Sequence, residues 1–247
     1  MSEDERLTTI AAQLVEDWHN DRVPTLKVVH DDAAAIACGL HYEMDRRTAA
    51  REEFARANGM NIVCDKGCAH CCESLVMVFR GESIAIAEWL LDPANEEIRA
   101  WYVNESYPRW RAAIGDAPER AQTSLRTGDD ETYVNVALEV WQRRVMCAFN
   151  REGLCTIYSV RPNACRHTHA LDTNDNCLAT GAEAPATVPF EEIQNLRFGI
   201  RPLTESLHQA LGGEAGVTSS VCQEVHELTA DAALLQQAGR GQPDREP

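Results

Sequence analysis

The sequence predicts a mainly α fold, a helical protein around an irregular cysteine-rich module that carries a short hairpin. Apolar residues recur at helical spacing over most of the chain, and the breaks fall at residues such as Gly59 and Pro93. Eight of the ten cysteines lie from Cys64 to Cys177, where the helical period twice gives way to irregular sequence.

At 247 residues the chain is long enough to bury an apolar core without disulfides. With 44% hydrophobic and 25% charged residues it has an ordinary globular composition. No run approaches the roughly 18–20 apolar residues of a membrane span. The start, "MSEDERLTTIAAQLVEDWHNDR", is acidic and lacks the basic end and apolar run of a secretory signal, so the chain is expected in the cytoplasm. A net charge of −16 repels phosphate backbones and anionic lipid, so neither nucleic acid nor membrane is expected as a partner. A protein partner is left open. Clustered cysteines in a reducing compartment mean metal or redox chemistry rather than disulfides.

The elements divide the chain into an N-terminal helical region, 1–59, a cysteine-cluster metal-binding domain with inserted helices, 60–180, a C-terminal helical region, 181–238, and a disordered tail, 239–247. A first helix runs from about Glu5 to His19 on Leu7, Ile10, Ala11, Leu14 and Trp18. A second starts at Asp31 or Asp32, either an N-cap, and runs to Asn58, with Gly59 as its stop. Asn61 to Val63 lead extended into the first cysteines. "SLVMVF" reads as a short strand, and "GESIAIAEWLL" as a helix that Asp92-Pro93 ends. "NEEIRAWYVNESYPRWRAAI" and "DETYVNVALEVWQRRV" are helical. "GDAPERAQTSLRTGDD" between them is more polar and reads partly as loop. "ATGAEAPATVP" is a linker. The helices "FEEIQNLRFGIRPLTESLHQALGG" and "VTSSVCQEVHELTADAALLQQA" close the chain.

The first cysteine box is Cys64, Cys68, Cys71 and Cys72. On a helix these side chains would share an arc of about 100°. If the box instead opens on a turn at Gly67, the backbone can wrap the thiols around one centre. Four close thiolates repel one another, and a cation removes that cost. The adjacent Cys71 and Cys72 diverge and can serve different centres. The second group is Cys147, Cys155, Cys165 and Cys177. "VMCAFNREGLCTIY" reads as a hairpin turning at Asn150 to Gly153 that brings Cys147 and Cys155 together. Pro162 opens a short helix that carries Cys165, and Arg161 before it is extended. Arg161 and Arg166 flank this cysteine as cofactor-binding candidates, offsetting thiolate charge and hydrogen-bonding to sulfur.

The order Cys-x3-Cys-x2-Cys-Cys, then Cys-x7-Cys-x-Ile-Tyr-x2-Arg-Pro-x2-Cys-Arg, then a further Cys, resembles the CxxCxxCC family, also called the YkgJ family, a zinc- or iron-chelating domain. "GES…AIAEWLL" is similar to the helix that follows the box in that family. The resemblance covers about residues 60 to 180, and its first gap is three residues rather than two. It implies metal or iron–sulfur binding through the eight cysteines and no settled reaction.

Soft thiolates suit both zinc and iron–sulfur clusters. The all-sulfur donor set, irregular spacing and flanking arginines favour an iron–sulfur cluster of the 4Fe–4S kind narrowly over Zn2+. A redox or electron-transfer protein, a zinc-stabilised scaffold or adaptor, and a cluster-bearing protein-modifying enzyme resembling lysine methylases all stay open. Cys38 and Cys222 read as small core residues. His70, His167 and His169 are alternative donors, though eight cysteines already suffice for two sites. Trp89, Trp101, Trp110 and Trp141 read as core. Glu73 and Glu82 are weak acid–base candidates with no partner in the sequence.

Overall fold

The computed structural model describes residue 9 and residues 33–64, 67–166, 170–173, 175–177 and 203–230. The first expected helix, the linker, the tail, Trp18, His167 and His169 lie outside the described residues, Thr9 excepted.

Helix α1 (Ala33–Ala57) buries Ile36, Ala37, Leu40 and Met44 on one face. Gly59 follows at φ +74°, a left-handed conformation that glycine adopts without Cβ strain. The expected strand shrinks to β1 (Met77–Val78). Helix α2 (Arg80–Leu91) opens with the Glu82 carboxylate accepting the Phe79 N–H at 3.0 Å. Asp92 then accepts the Ala94 N–H and starts a short 3-10 turn at Pro93.

The next helix is continuous but not uniform. It comprises α3 (Glu96–Trp101), a π-helical stretch (Tyr102–Ser106) and α4 (Tyr107–Ile114). Pro108 explains the wide turn: it has no N–H to reach the Asn104 carbonyl, and its ring crowds the turn before it. The polar stretch after it is mostly helix α5 (Ala117–Thr127), with non-helical residues only at 115–116 and 128–129. Pro118 occupies the first turn, where no N–H is needed, and small residues (Ala117, Ala121, Ser124) form the buried stripe. Helix α6 (Asp130–Arg143) is capped by Asp129, whose side chain accepts the Thr132 N–H at 3.0 Å.

Strands β2 (Asn150–Arg151) and β3 (Leu154–Cys155) form the expected hairpin, with Asn150 opposite Cys155. Its turn is Glu152-Gly153, both at positive φ, as a two-residue hairpin turn requires. Helix α7 (Asn163–Arg166) follows, with Arg161 extended before Pro162 at ψ 145°. Helix α8 spans 203–210. The last expected helix starts later than its sequence pattern. Ser219 and Ser220 form strand β4, because they pair antiparallel with Val78 and Met77 of β1, and α9 (Val221–Ala230) begins only beyond them.

Helix α2 lies at the centre, between α1 and α9. Ile84, Ile86 and Leu90 are fully enclosed there. One apolar cluster runs through α1, α2, the π stretch, the hairpin, α8 and α9. The described parts of the flanking regions therefore share a core with the middle of the chain. Trp110 is buried in it, and Trp89 and Trp101 pack on its rim. Among the described residues no helix is long and apolar enough to cross a membrane.

Candidate metal centre

The two cysteine groups meet. Three devices join them. The Cys147 N–H donates to the Cys72 carbonyl at 2.7 Å. Glu73, buried next to Cys72, holds the Arg144 guanidinium through both carboxylate oxygens at 3.0–3.1 Å. The lead into the first box pairs with the segment that precedes Cys177: Ile62 bridges Leu171, and the Val63 N–H donates to the Ala170 carbonyl at 3.1 Å.

The first box is not one helix. Gly67 turns it at φ +100°, and His70–Glu73 form a single 3-10 turn that carries Cys71 and Cys72. The box opens on the expected turn, but among the described residues no three His, Cys, Asp or Glu side chains converge on one ion. His70 rides on the same turn. In the second group the hairpin, the loop after it and α7 present Cys147, Cys155 and Cys165 in succession.

Cys64, Cys68, Cys71, Cys72, Cys147, Cys155 and Cys165 all line one cavity of about 520 Å³. Cys177 is not on its wall; it lies on the Cys64 side, where the Cys64 and Cys68 sulfurs act on it electrostatically. All ten cysteines are free thiols.

Backbone N–H groups aim at several of these sulfurs. Ala170 donates to Cys64 Sγ at 3.0 Å. The backbone N–H of Phe149 lowers the Cys147 thiol, and that of Ile157 the Cys155 thiol, each from two residues further along the chain. Such donors stabilise negative sulfur. Without a cation the crowding acts the other way. Burial, then the Cys147, Cys71 and Cys155 sulfurs, push the Cys165 thiol well up. Cys147 is raised first by its contact with Cys222 and then by burial. Burial raises Cys155 to about 11. Cys71 is raised first by its contact with Cys72 and then by burial. Cys64 is raised by burial. The cavity is thus built of sulfur that resists ionisation until a positive centre arrives, and this donor chemistry fits a thiophilic metal.

The flanking arginines separate. Arg161 lines the cavity, with its guanidinium 3.9 Å from the Tyr158 ring centroid. Its buried Nε has no hydrogen-bond partner among the described residues. Its charge lowers the pKa of Cys71, Cys155 and Cys165, opposing part of their upward shift. Arg166 is 3% exposed and does not line the cavity. It donates to the Arg161 carbonyl at 2.6 Å and to the Ser159 carbonyl at 2.8 Å, and it pairs with Asp45 of α1. It fastens the Arg161 loop to α1.

The two glutamates have partners that the sequence does not reveal. Glu73 holds Arg144. Glu82 accepts the N–H of Phe79 and, at 2.8 Å, that of Asn163 in α7, and lies 3.6 Å from buried His41. Both act as clamps around the cysteine groups. Cys38 packs against the core as expected. Cys222 is buried as expected, but its sulfur lies 3.5 Å from that of Cys147. No sequence signal marks that contact, because Cys222 sits alone in a helical pattern.

Residues 63–184 match the family model CxxCxxCC, described as "Putative zinc- or iron-chelating domain". These residues belong to the CxxCxxCC family. The match contains all eight clustered cysteines and ends well before Cys222. The CxxCxxCC domain here is a metal-chelating one, and its cysteines are those that face the cavity or approach it. Comparison of the chain with curated proteins and with solved structures found nothing similar.

Proposed function

We propose that the CxxCxxCC domain holds an iron–sulfur centre and that the protein transfers electrons through it. Seven cysteines ring one cavity of about 520 Å³, and that observation carries the reading. A single zinc ion draws four sulfurs onto edges of about 3.8 Å, given Zn–S bonds of about 2.3 Å. Seven sulfurs are more than one zinc ion can take. A wall of this size bearing that many thiols suits a polynuclear core, whose irons each take a separate ligand.

Four of Cys64, Cys68, Cys71, Cys72, Cys147, Cys155 and Cys165 would hold one such core, and with Cys177 on the Cys64 side the eight suffice for two. Such a centre supplies one-electron redox chemistry. The protein's part is to set its potential and shield it. The N–H groups of Ala170, Phe149 and Ile157 and the Arg161 cation all stabilise the more negative, reduced charge state. An all-thiolate set leaves no open position for substrate, which favours electron transfer over catalysis at the metal.

Anaerobic purification with iron, zinc and acid-labile sulfide analysis tests the reading. The expected result is a brown protein with iron and sulfide, whose visible absorbance bleaches with dithionite. A colourless protein with stoichiometric zinc and no sulfide would instead make the domain a zinc-stabilised scaffold.

A further inference from the structure

We propose that Cys222, outside the CxxCxxCC domain, is a positioning residue of the metal centre whose S–H donates to the Cys147 sulfur. The proposal rests on the metal reading above and adds a residue that the family domain does not contain.

The two sulfurs lie 3.5 Å apart, within hydrogen-bond range for sulfur. Cys147 lines the cavity, and Cys222 does not, although its neighbour Val221 does. Cys222 is 3% exposed, in the first turn of α9. The direction of the bond follows. A metal-bound Cys147 has lost its proton and can only accept. Cys222, off the cavity wall, is then the partner whose S–H is left to donate.

The position of Cys222 is fixed from several sides. The Val221 N–H donates to the Val76 carbonyl at 3.0 Å, so the β1–β4 pairing sets where α9 begins. The Tyr102 hydroxyl donates to the Cys222 carbonyl. Tyr102 stacks on Phe149 with ring centroids 4.3 Å apart, and Phe149 follows Cys147 by two residues. Cys222 and Cys147 are thus set by one packed unit that joins α9, the π stretch and the start of the hairpin. A donor on a ligand sulfur fixes its direction and reduces the electron density it gives the metal.

Anaerobic titration of the full chain with Co2+ alone tests this. The readouts are cobalt bound per chain and the energy of the sulfur-to-cobalt charge-transfer band. Cys222→Ala should bind as much cobalt as the unaltered chain, with the band moved to lower energy because Cys147 is more electron-rich. Cys222→Ser restores a donor and should return the band most of the way. If Cys222→Ala does not fold, Cys222→Val fills the space without a donor and replaces it in the comparison. Cobalt loss in the donor-free variant as large as in Cys147→Ala would make Cys222 a ligand and overturn the proposal. An unmoved band, or a Ser variant identical to the donor-free one, would make Cys222 only a space-filling residue. An unaltered chain that takes up no cobalt, and that forms no iron–sulfur centre on anaerobic reconstitution with iron and sulfide, would remove the metal reading itself, a failure distinct from the other two.

Discussion

Helix α2 buries Ile84, Ala85, Ile86, Ala87 and Leu90 between α1 and α9, whereas the Cys147–Cys165 segment leaves Leu154 and Tyr158 exposed around its few buried apolar residues. The first region is held by burial in every direction, which is enough to fold it. The second is held by a two-residue hairpin, a four-residue helix, the Glu73–Arg144 clamp and the Arg166 tether. Its remaining interior is sulfur. Polar sequence gives such a segment its hydrogen bonds but not its cohesion, and on the proposed reading a metal supplies the cohesion.

Metal removal should therefore produce the largest effect, and an unequal one. Structural zinc in zinc-finger peptides binds with about 10–16 kcal/mol. Stripping the metal under reducing conditions should leave the amides of α2 protected from hydrogen exchange while those from 147 to 165 exchange rapidly. Equal loss of protection in both regions would erase the distinction. Metal uptake by the stripped chain at neutral pH should release protons, because the Cys147, Cys155 and Cys165 thiols are held above their ordinary range.

The converse comes from the core. Leu90→Ala removes a fully enclosed side chain from α2 and should cost about 2–5 kcal/mol in denaturant unfolding. Metal bound per folded chain should stay the same. A drop in metal content would mean that the core of α2 also shapes the cavity.

A third effect belongs to the helical side alone. Glu224 of α9 is part-buried against α2, where Ser83 Oγ donates to it at 2.9 Å. Burial raises its carboxyl from 4.5 to about 7. The folded-state pKa is thus above the unfolded one. The stability it allows is fully present below about pH 4.5 and is lost as pH rises through about 7. Glu224→Gln keeps an acceptor for Ser83 without the charge. Between pH 5 and pH 8 the unaltered chain should lose about 2–3 kcal/mol relative to this variant. Parallel pH profiles would show that the buried carboxyl is not what titrates.

The two regions were also unequally legible in the sequence. Helix α1 announced itself through Ile36, Leu40 and Met44 at helical spacing and through Gly59. Helix α5 did not, because its buried stripe is Ala117, Ala121 and Ser124, too small to register as apolar periodicity among polar neighbours. The eight clustered cysteines were visible from spacing alone. Cys222 was not, because the β1–β4 pairing that delivers it joins segments over 140 residues apart. Arg161 and Arg166 looked equivalent on either side of Cys165, yet only Arg161 lines the cavity. Which side chain faces a cavity depends on the loop's path after Tyr158, which Arg166 itself fixes by binding two of its carbonyls. Glu73 and Glu82 looked unpaired because Arg144, His41 and Asn163 reach them only through the fold.

The smallest expected effect lies at the start of α6. Asp129 accepts the Thr132 N–H there, and its carboxyl is lowered by that bond. Asp129→Ala leaves one first-turn N–H to water and should lower the melting temperature by a few degrees at neutral pH. The sign with pH is opposite to that of Glu224. A lowered folded pKa means the contribution is present above the ordinary carboxylate range and disappears as pH falls through it. The deficit of Asp129→Ala should therefore shrink toward acid, while the Glu224→Gln difference grows toward base. α6 ends at Arg144, which holds Glu73 beside Cys72, so the same variant also asks whether the helix transmits anything to the cysteines. Cap loss frays only the first turn, and Arg144 stands a full helix length away. Metal content and metal release should be unchanged. A faster release would show that the cysteine side depends on the helical layer for more than its scaffold.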